Sequence, residues 1–260
     1  MTSGGFVYFL SDLHLGARYL PDRLGQERRV VEFLKAIAPG AKAVYLLGDV
    51  LDYWFEYRTV VPRGYVRFFG QLAAMADAGI KITWLTGNHD IWLFDYLRDE
   101  LGIRVVESPA SEGVTEDICG TTFCLTHGDT FGPQPRSYRM LRTLFHNRIC
   151  QKLYAALHPR WTLPFAHGWS SQSRKGYGRA VEKEFTPKRH EALVEAARLY
   201  AEAHPKVHFI VMGHYHVPID VEVGTNCRLI VLGDWIYRST YAVFDGTDFE
   251  LKDYGSPSVE

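Results

Sequence analysis

The sequence predicts an α/β fold in which two packed sheets are flanked by helices. Three observations carry this. Short apolar runs rich in β-branched and aromatic residues alternate with helix-period stripes through the early part of the chain, and strand-like runs dominate its last part. Polar clusters able to bind metal directly follow four of these runs, at strand ends, where open α/β sheets build their sites. The length of 260 residues suits one large domain with a smaller inserted element.

The elements follow in order. Residues 6–10 form an apolar run that reads as a buried strand ending at Asp12. In 27–37, Val30, Val31, Leu34 and Ile37 share one helical face, and Pro39-Gly40 stops the helix. Residues 43–47 read as a strand, 65–78 as a helix ended by Gly79, 80–85 as a strand, 92–101 as a short helix and 104–106 as a strand. Residues 114–118 and 121–126 alternate around Gly120 as a hairpin. Residues 187–203 are helical with proline in the first turn. Strand-like runs follow at 208–212, 219–223, 228–232 and 240–244.

Composition narrows the classes. Hydrophobic residues make up 47% and charged residues 23%, which fits a globular chain and not a disordered or fibrous one. No apolar run approaches the roughly 18 residues of a spanning helix. The N-terminus lacks the basic start of a signal peptide, so a cytoplasmic protein is expected. Cys119, Cys124, Cys150 and Cys227 form no C-x-x-C pair. That leaves reduced thiols, or a Cys119–Cys124 bond across the hairpin.

The net charge of −1 conceals an asymmetry. From Thr130 to Val181 there is no Asp or Glu, but there are nine basic residues: Arg136, Arg139, Arg142, Arg148, Lys152, Arg160, Arg174, Lys175 and Arg179. One sign over such a length points to an anionic partner, either a phosphorylated ligand or a lipid surface. Tyr138, Leu141, Leu144, Phe145, Ile149, Leu153 and Leu157 recur at helical spacing, so 136–157 reads as one amphipathic helix. Its apolar stripe is either a buried face or a lipid-contacting one. Residues 131–179 therefore read as an inserted basic helical cap on a core formed by 1–130 and 180–260. Nucleic acid is not expected as a partner, because no helix-turn-helix, RRM or zinc-finger signature accompanies the charge.

Five segments carry the chemistry: Asp12-Leu13-His14, Gly48-Asp49-Val50-Leu51-Asp52, Gly87-Asn88-His89-Asp90, His127-Gly128-Asp129 and Gly213-His214-Tyr215-His216. Carboxylate, amide and imidazole without thiolate are the ligands of a catalytic divalent ion rather than a structural zinc. Two-metal sites hold their ions about 3.5–4 Å apart, and a carboxylate with two usable oxygens at Asp49 suits the bridge. Asp12, His14 and His216 would complete one shell, and Asn88, His127 and His214 the other. Residues at i and i+2 of an extended segment point the same way, so His214 and His216 reach neighbouring ions from one loop. Asp52 and Asp90 read as residues that orient a ligand or its loop. Gly48, Gly87 and Gly213 allow tight turns beside the ions. His146, His158, His167, His190, His204 and His208 read as structural or surface residues.

In this order, D-x-H, G-D-x-x-D, G-N-H-D, H and G-H-x-H resemble the calcineurin-like metallophosphoesterases, with intervals of 37, 39, 39 and 87 residues across most of the chain. The resemblance implies a four-layer α/β/β/α sandwich with an inserted helical cap. It also implies two divalent ions, often Mn²⁺, that activate water as hydroxide against a phosphoester or pyrophosphate. Asn88 and His89 match the catalytic pair, with His89 on the phosphate. Within the family, the chain is similar to the UDP-2,3-diacylglucosamine pyrophosphatases of lipid A biosynthesis. The features that carry this are Ser11 to Gly16, Tyr53-Trp54-Phe55, His127-Gly128-Asp129-Thr130, Leu232-Gly233-Asp234-Trp235 and the cap.

That similarity implies cleavage at the α-phosphate, giving UMP and 2,3-diacylglucosamine 1-phosphate. It also implies peripheral association with the cytoplasmic face of the inner membrane. Substrate contacts are expected from Asn88, His89, Arg139, Ser173, Arg174, Lys175 and His214. The best-known members carry Arg where His89 stands and acidic residues where Phe131-Gly132-Pro133-Gln134-Pro135 follows, which leaves sugar and acyl preference open. A broader hydrolase of nucleotide-diphosphate sugars or phosphodiesters is the competing enzyme reading. A metal-binding scaffold without catalysis is the competing non-enzyme reading.

Overall fold

The computed structural model describes residues 5–109, 113–132, 134–162, 164, 168 and 186–255. Six strands form one sheet in the order β11-β10-β1-β2-β3-β4 and five form a second in the order β5-β6-β7-β9-β8. The strands are β1 (Phe6–Leu10), β2 (Ala41–Leu47), β3 (Lys81–Leu85), β4 (Arg104–Val106), β5 (Val114–Ile118), β6 (Thr121–Leu125), β7 (Phe209–Met212), β8 (Pro218–Gly224), β9 (Cys227–Leu232), β10 (Thr240–Phe244) and β11 (Phe249–Asp253). The helices are α1 (Arg23–Ile37), α2 (Val66–Asp77), α3 (Tyr96–Leu101), α4 (Arg136–His146), α5 (Arg148–Ala155) and α6 (Pro187–Ala203). β1 to β4 run parallel, as do β6, β7 and β9.

Side-chain alternation builds the layers. Leu10, Val44, Leu46, Ile82 and Trp84 face α1, α2 and α3 through Phe33, Leu34, Phe68, Leu72 and Leu97. Val7, Phe9, Tyr45 and Leu47 turn the other way onto Phe123, Leu125, Val211 and Ile230 of the second sheet. There Phe9 stacks on Phe123 with ring centroids 5.6 Å apart. Ile210, Met212, Leu229 and Val231 then meet Leu193, Ala197 and Ala201 of α6. The result is the expected α/β/β/α sandwich.

Several boundaries moved for local reasons. α1 begins four residues before the expected Glu27, because the Asp22 side chain accepts the Gly25 N–H at 2.8 Å. α3 begins four residues later than expected, at Tyr96. The Glu56 carboxylate captures the N–H groups of Phe94, Asp95 and Tyr96 at 2.7, 2.8 and 3.2 Å and holds 92–95 as a loop. The β5–β6 hairpin turns at Cys119 and Gly120, with φ of 55° and 84°, the left-handed pair of a type I′ turn. No disulfide joins Cys119 to Cys124, or any other pair among the described residues.

The expected single cap helix is two. Asn147 leaves the helical region at φ −72° and ψ 118°, and its side chain caps α5 by accepting from Ile149 and Cys150. The apolar stripe is exposed at Leu144, Ile149, Leu153 and Leu157 and half-buried at Tyr138, Leu141 and Phe145, and Met140 beside it is 74% exposed. Among the described residues no helix is long and apolar enough to cross a membrane.

Candidate metal centre

The five polar segments lie at the C-terminal ends of β1, β2, β3, β6 and β7, on one edge of both sheets. Their backbones are unusual. Asp12, His14, Asp49, His214 and His216 have φ of 53°, 42°, 51°, 68° and 57°, in the left-handed region that non-glycine residues avoid. Hydrogen bonds between the loops hold them there: Asp12 N to Gly48 O at 3.1 Å, His14 N to Asp49 O at 2.9 Å and Gly213 N to His127 O at 3.0 Å. Close approach requires glycine at Gly48, Gly87 and Gly213. A Cβ on Gly87 would strike the amide and carboxylate of Asp49, and one on Gly213 would strike Ser11 Oγ and Asp12 Oδ2.

The side chains converge in three groups whose ligand atoms lie within 4.8 Å of one another: Asp12, His14 and His216; His14, Asp49 and His89; Asp49, His127 and His214. Asp49 belongs to two of them. Its Oδ1 accepts the His89 N–H at 2.8 Å. Its Oδ2 stands 3.4 Å from His127 Nε2 and 3.7 Å from His14 Nε2. Oδ1 thus also anchors the neighbouring loop, while Oδ2 stands between the imidazoles. Asn88 Oδ1 lies 3.1 Å from His127 Nε2 and 3.0 Å from His214 Nδ1.

These residues fit divalent ions. Asp12 is fully buried, yet its Oδ1 has no hydrogen-bond partner. It faces His14 Nε2 at 3.6 Å and His216 Nε2 at 3.5 Å. Such separations are long for hydrogen bonds. They are close to the ligand–ligand edges, about 3.0–3.4 Å, around an ion held at about 2.1 Å.

Electrostatics prepare the donors. Burial pushes the Asp49 carboxyl up, but His127, His89 and His14 outweigh it and hold it well below the usual carboxylate range. Burial pushes His214 down to about 3, reinforced by His127, so its ring is neutral at pH 7. Burial would lower His127 too, but Asp49 outweighs burial and raises it well above its ordinary value. An ion must displace that proton, so metal affinity should fall as pH drops.

Outer contacts fix the imidazoles. His127 Nδ1 donates to Leu47 O at 2.9 Å, which turns Nε2 inward. Asp52 Oδ1 lies 3.7 Å from His14 Nδ1. Asp90 clamps the Asp49 loop, accepting from Gly87 N at 2.7 Å, Val50 N at 2.9 Å and Trp84 Nε1 at 3.1 Å. Asp52 and Asp90 thus sit where orienting residues belong.

Asp234, after β9, is a residue to which sequence reasoning gave no role. Its Oδ1 accepts Ile236 N and Tyr237 N at 2.9 and 2.7 Å, and its partnerless Oδ2 faces His216 Nδ1 at 3.7 Å. The signal was present, since Gly233-Asp234 follows an apolar run just as Gly48-Asp49 does. Asp234→Asn should weaken metal binding about 10–100-fold in a manganese titration followed by calorimetry. Unchanged affinity would remove Asp234 from the outer contacts.

The remaining expected contacts divide. Arg139 lies exposed on α4, and Ser173, Arg174 and Lys175 lie outside the described residues. His89 is 16% exposed, and its Nδ1 meets the Asp52 carbonyl at 2.9 Å. His146 pairs with Glu107 at 2.7 Å, His208 Nδ1 accepts the Thr122 N–H at 3.3 Å, and His204 stacks on Tyr200, as structural histidines do.

The family model for calcineurin-like phosphoesterases matches residues 7–218. The chain is 41% identical over 256 residues to a UDP-2,3-diacylglucosamine hydrolase of Porphyromonas gingivalis, covering 95% of this chain and 96% of that protein. It is 28% identical to proteins of the same name from Nitrosococcus oceani, covering 88% of this chain and 87% of the relative, and from Serratia proteamaculans, covering 87% and 90%. With the model spanning all five ligand loops up to His216, the chain belongs to the calcineurin-like phosphoesterase family.

Proposed function

We propose that this chain hydrolyses the pyrophosphate bond of UDP-2,3-diacylglucosamine, giving UMP and 2,3-diacylglucosamine 1-phosphate in lipid A biosynthesis. The observation that carries the chemistry is Asp49 Oδ2, set between imidazoles of two ligand groups. The relatives' shared name supports the substrate. Asp12, His14 and His216 would hold one divalent ion and Asn88, His127 and His214 the other, with Asp49 placed to serve both. We assign manganese, the ion that the family resemblance implies and that carboxylate, amide and imidazole ligands accept as they do iron, cobalt or zinc. Bound there, the ions supply Lewis acidity and a water acidic enough to ionise near neutral pH.

The chain's own groups do the rest. His89 is held through Nδ1 by the Asp52 carbonyl, and Nε2 is the ring atom assigned to the phosphoryl group. Asn88 and His214 line the same position, and Arg139, Ser173, Arg174 and Lys175 are assigned to the substrate's phosphates. Residues 131–179 act as the cap. The exposed Met140, Leu144, Ile149 and Leu153 stand among Arg136, Arg139, Arg148 and Lys152, a pairing suited to the surface of anionic lipid. We therefore place the protein peripherally on the cytoplasmic face of the inner membrane.

Turnover of UDP-2,3-diacylglucosamine should exceed that of acyl-free UDP-glucosamine by about two orders of magnitude or more in kcat/KM, because remote binding energy is used at the reacting centre. Equal turnover would favour the broader nucleotide-diphosphate-sugar hydrolase. Absence of turnover on either, with two manganese ions bound, would favour the scaffold.

A further inference from the structure

The cap helix α4 is held to the core in an uncommon way. None of its 11 residues is buried. Tyr138, Arg142 and His146 recur every four residues on one face, and each meets a polar group of the core. Tyr138 Oη donates to Asp129 Oδ2 at 2.7 Å. Arg142 Nε lies 3.5 Å from the same oxygen, and Arg142 Nη2 donates to Ser108 O at 2.7 Å. His146 reaches Glu107 at the end of the row at 2.7 Å.

Asp129 is the centre of this arrangement. Its carboxylate is 4% exposed and lies two residues beyond His127. The phenol makes a short, charge-assisted hydrogen bond to this buried carboxylate, and the guanidinium adds a looser ion pair at 3.5 Å. The cap also touches residues that follow two of the other ligand loops. Tyr154 of α5 bonds Tyr53, which follows Asp49, at 2.8 Å, and Trp92, which follows His89, donates Nε1 to Phe145 O at 3.0 Å. The cap is therefore in register with three of the loops that build the metal centre, and on the His127 side the register passes through Asp129.

We propose that Asp129, Tyr138 and Arg142 form a latch that sets the position of α4 beside the metal centre and thereby selects for a large lipid-bearing substrate over a small phosphodiester. These are positioning residues: they act through the cap and touch no reacting atom. The inference rests on the function proposed above. It also reassigns Arg142, one of the cap's nine cations, from substrate attraction to holding the cap in place.

The test pairs two substrates with a local structural probe. In the Tyr138→Phe/Arg142→Met double variant, KM for UDP-2,3-diacylglucosamine in detergent micelles should rise about tenfold or more. Its kcat/KM for bis(p-nitrophenyl) phosphate should stay within about twofold of wild type, because every metal ligand is kept and the His127 loop retains its own backbone bond to Gly213. Hydrogen exchange across 136–146 should accelerate, since α4 has no buried anchor of its own. Arg142→Lys, which keeps the cation on Asp129, should recover part of the lipid KM.

Equal losses on both substrates would overturn the latch in favour of general damage. Faster exchange with an unchanged lipid KM would overturn its role in selectivity. A wild-type protein that cleaves the small diester and ignores the lipid would sink the function reading and the selectivity claim with it. The exchange measurement alone would then decide whether these residues hold α4.

Discussion

Asp49→Ala is expected to abolish turnover, with a loss of about three orders of magnitude or more in kcat/KM, while the fold survives. Asp49 is the one carboxylate whose oxygen faces imidazoles of two ligand groups, so its removal affects both ions. Outer contacts to metal ligands typically change affinity or activity 10–100-fold, and a shared direct ligand should exceed that. The fold should survive because the Asp49 loop is clamped by its backbone: its N–H and that of Val50 bond to Asp90 at 3.2 and 2.9 Å, and its carbonyl accepts from His14 N at 2.9 Å. The cost in structure is the bond from His89 N to Asp49 Oδ1, which also frees the G-N-H-D loop to shift. Metal content by mass spectrometry, circular dichroism and turnover together decide the matter. Retention of two manganese ions with wild-type turnover would refute the bridging assignment.

What the sequence revealed, and what it hid, follows from the range of the interactions. The strands that carry ligands were legible because each is a short, mostly apolar run, buried towards its C-terminal end, that is followed at once by the segment holding Asp12, Asp49, Asn88, His127 or His214. α1, α2 and α6 were legible through their periodicity. β11 was not, because Phe249–Asp253 is an edge strand with Phe249 buried and mostly polar neighbours. The start of α3 is set by Glu56, some forty residues earlier, and no local pattern announces that. The break at Asn147 was hidden because helical spacing continues from Phe145 to Ile149 across it, although an Asn able to cap was there to be read.

The cap shows the same division more sharply. Tyr138 counted towards an apolar stripe and Arg142 towards a basic block, each correct as composition. Their spacing of four and the acid at Asp129 carried the other message, that both turn inward to one carboxylate. Asp234 belongs to a sequence motif that gave it no role, and its strand-end position carried that role: an aspartate after a glycine at the end of β9 faces the same edge as the ligands.

Asp12→Asn should separate stability from activity, because the two pull in opposite directions at this residue. Asp12 Oδ2 accepts the His214 N–H at 2.8 Å, while Oδ1, fully buried, has no hydrogen-bond partner without an ion. Burial raises the carboxyl above its ordinary value, outweighing the lowering by His216 and His127. A folded-state value above the unfolded one favours the protonated form. The associated stability is therefore fully present below the unfolded value near 3.8 and is lost as pH rises through the folded value. In the metal-free protein the ionised carboxylate is therefore the form that the fold disfavours. An amide removes the charge, keeps an oxygen for His214 N and turns an NH₂ towards the imidazoles of His14 and His216. The metal-free variant should thus melt a few degrees above wild type, at about 2–4 °C per kcal/mol for a chain of this size. The same amide is a poor ligand, so the rise in Tm on adding manganese should shrink and turnover should fall about a hundredfold or more. Thermal melts with and without manganese, over a series of falling pH values, read both effects, and the apo advantage should narrow as the pH falls, because the raised carboxyl favours its protonated form. A lower metal-free Tm in the variant would mean that Asp12 is a structural hydrogen-bonding residue rather than one kept for an ion.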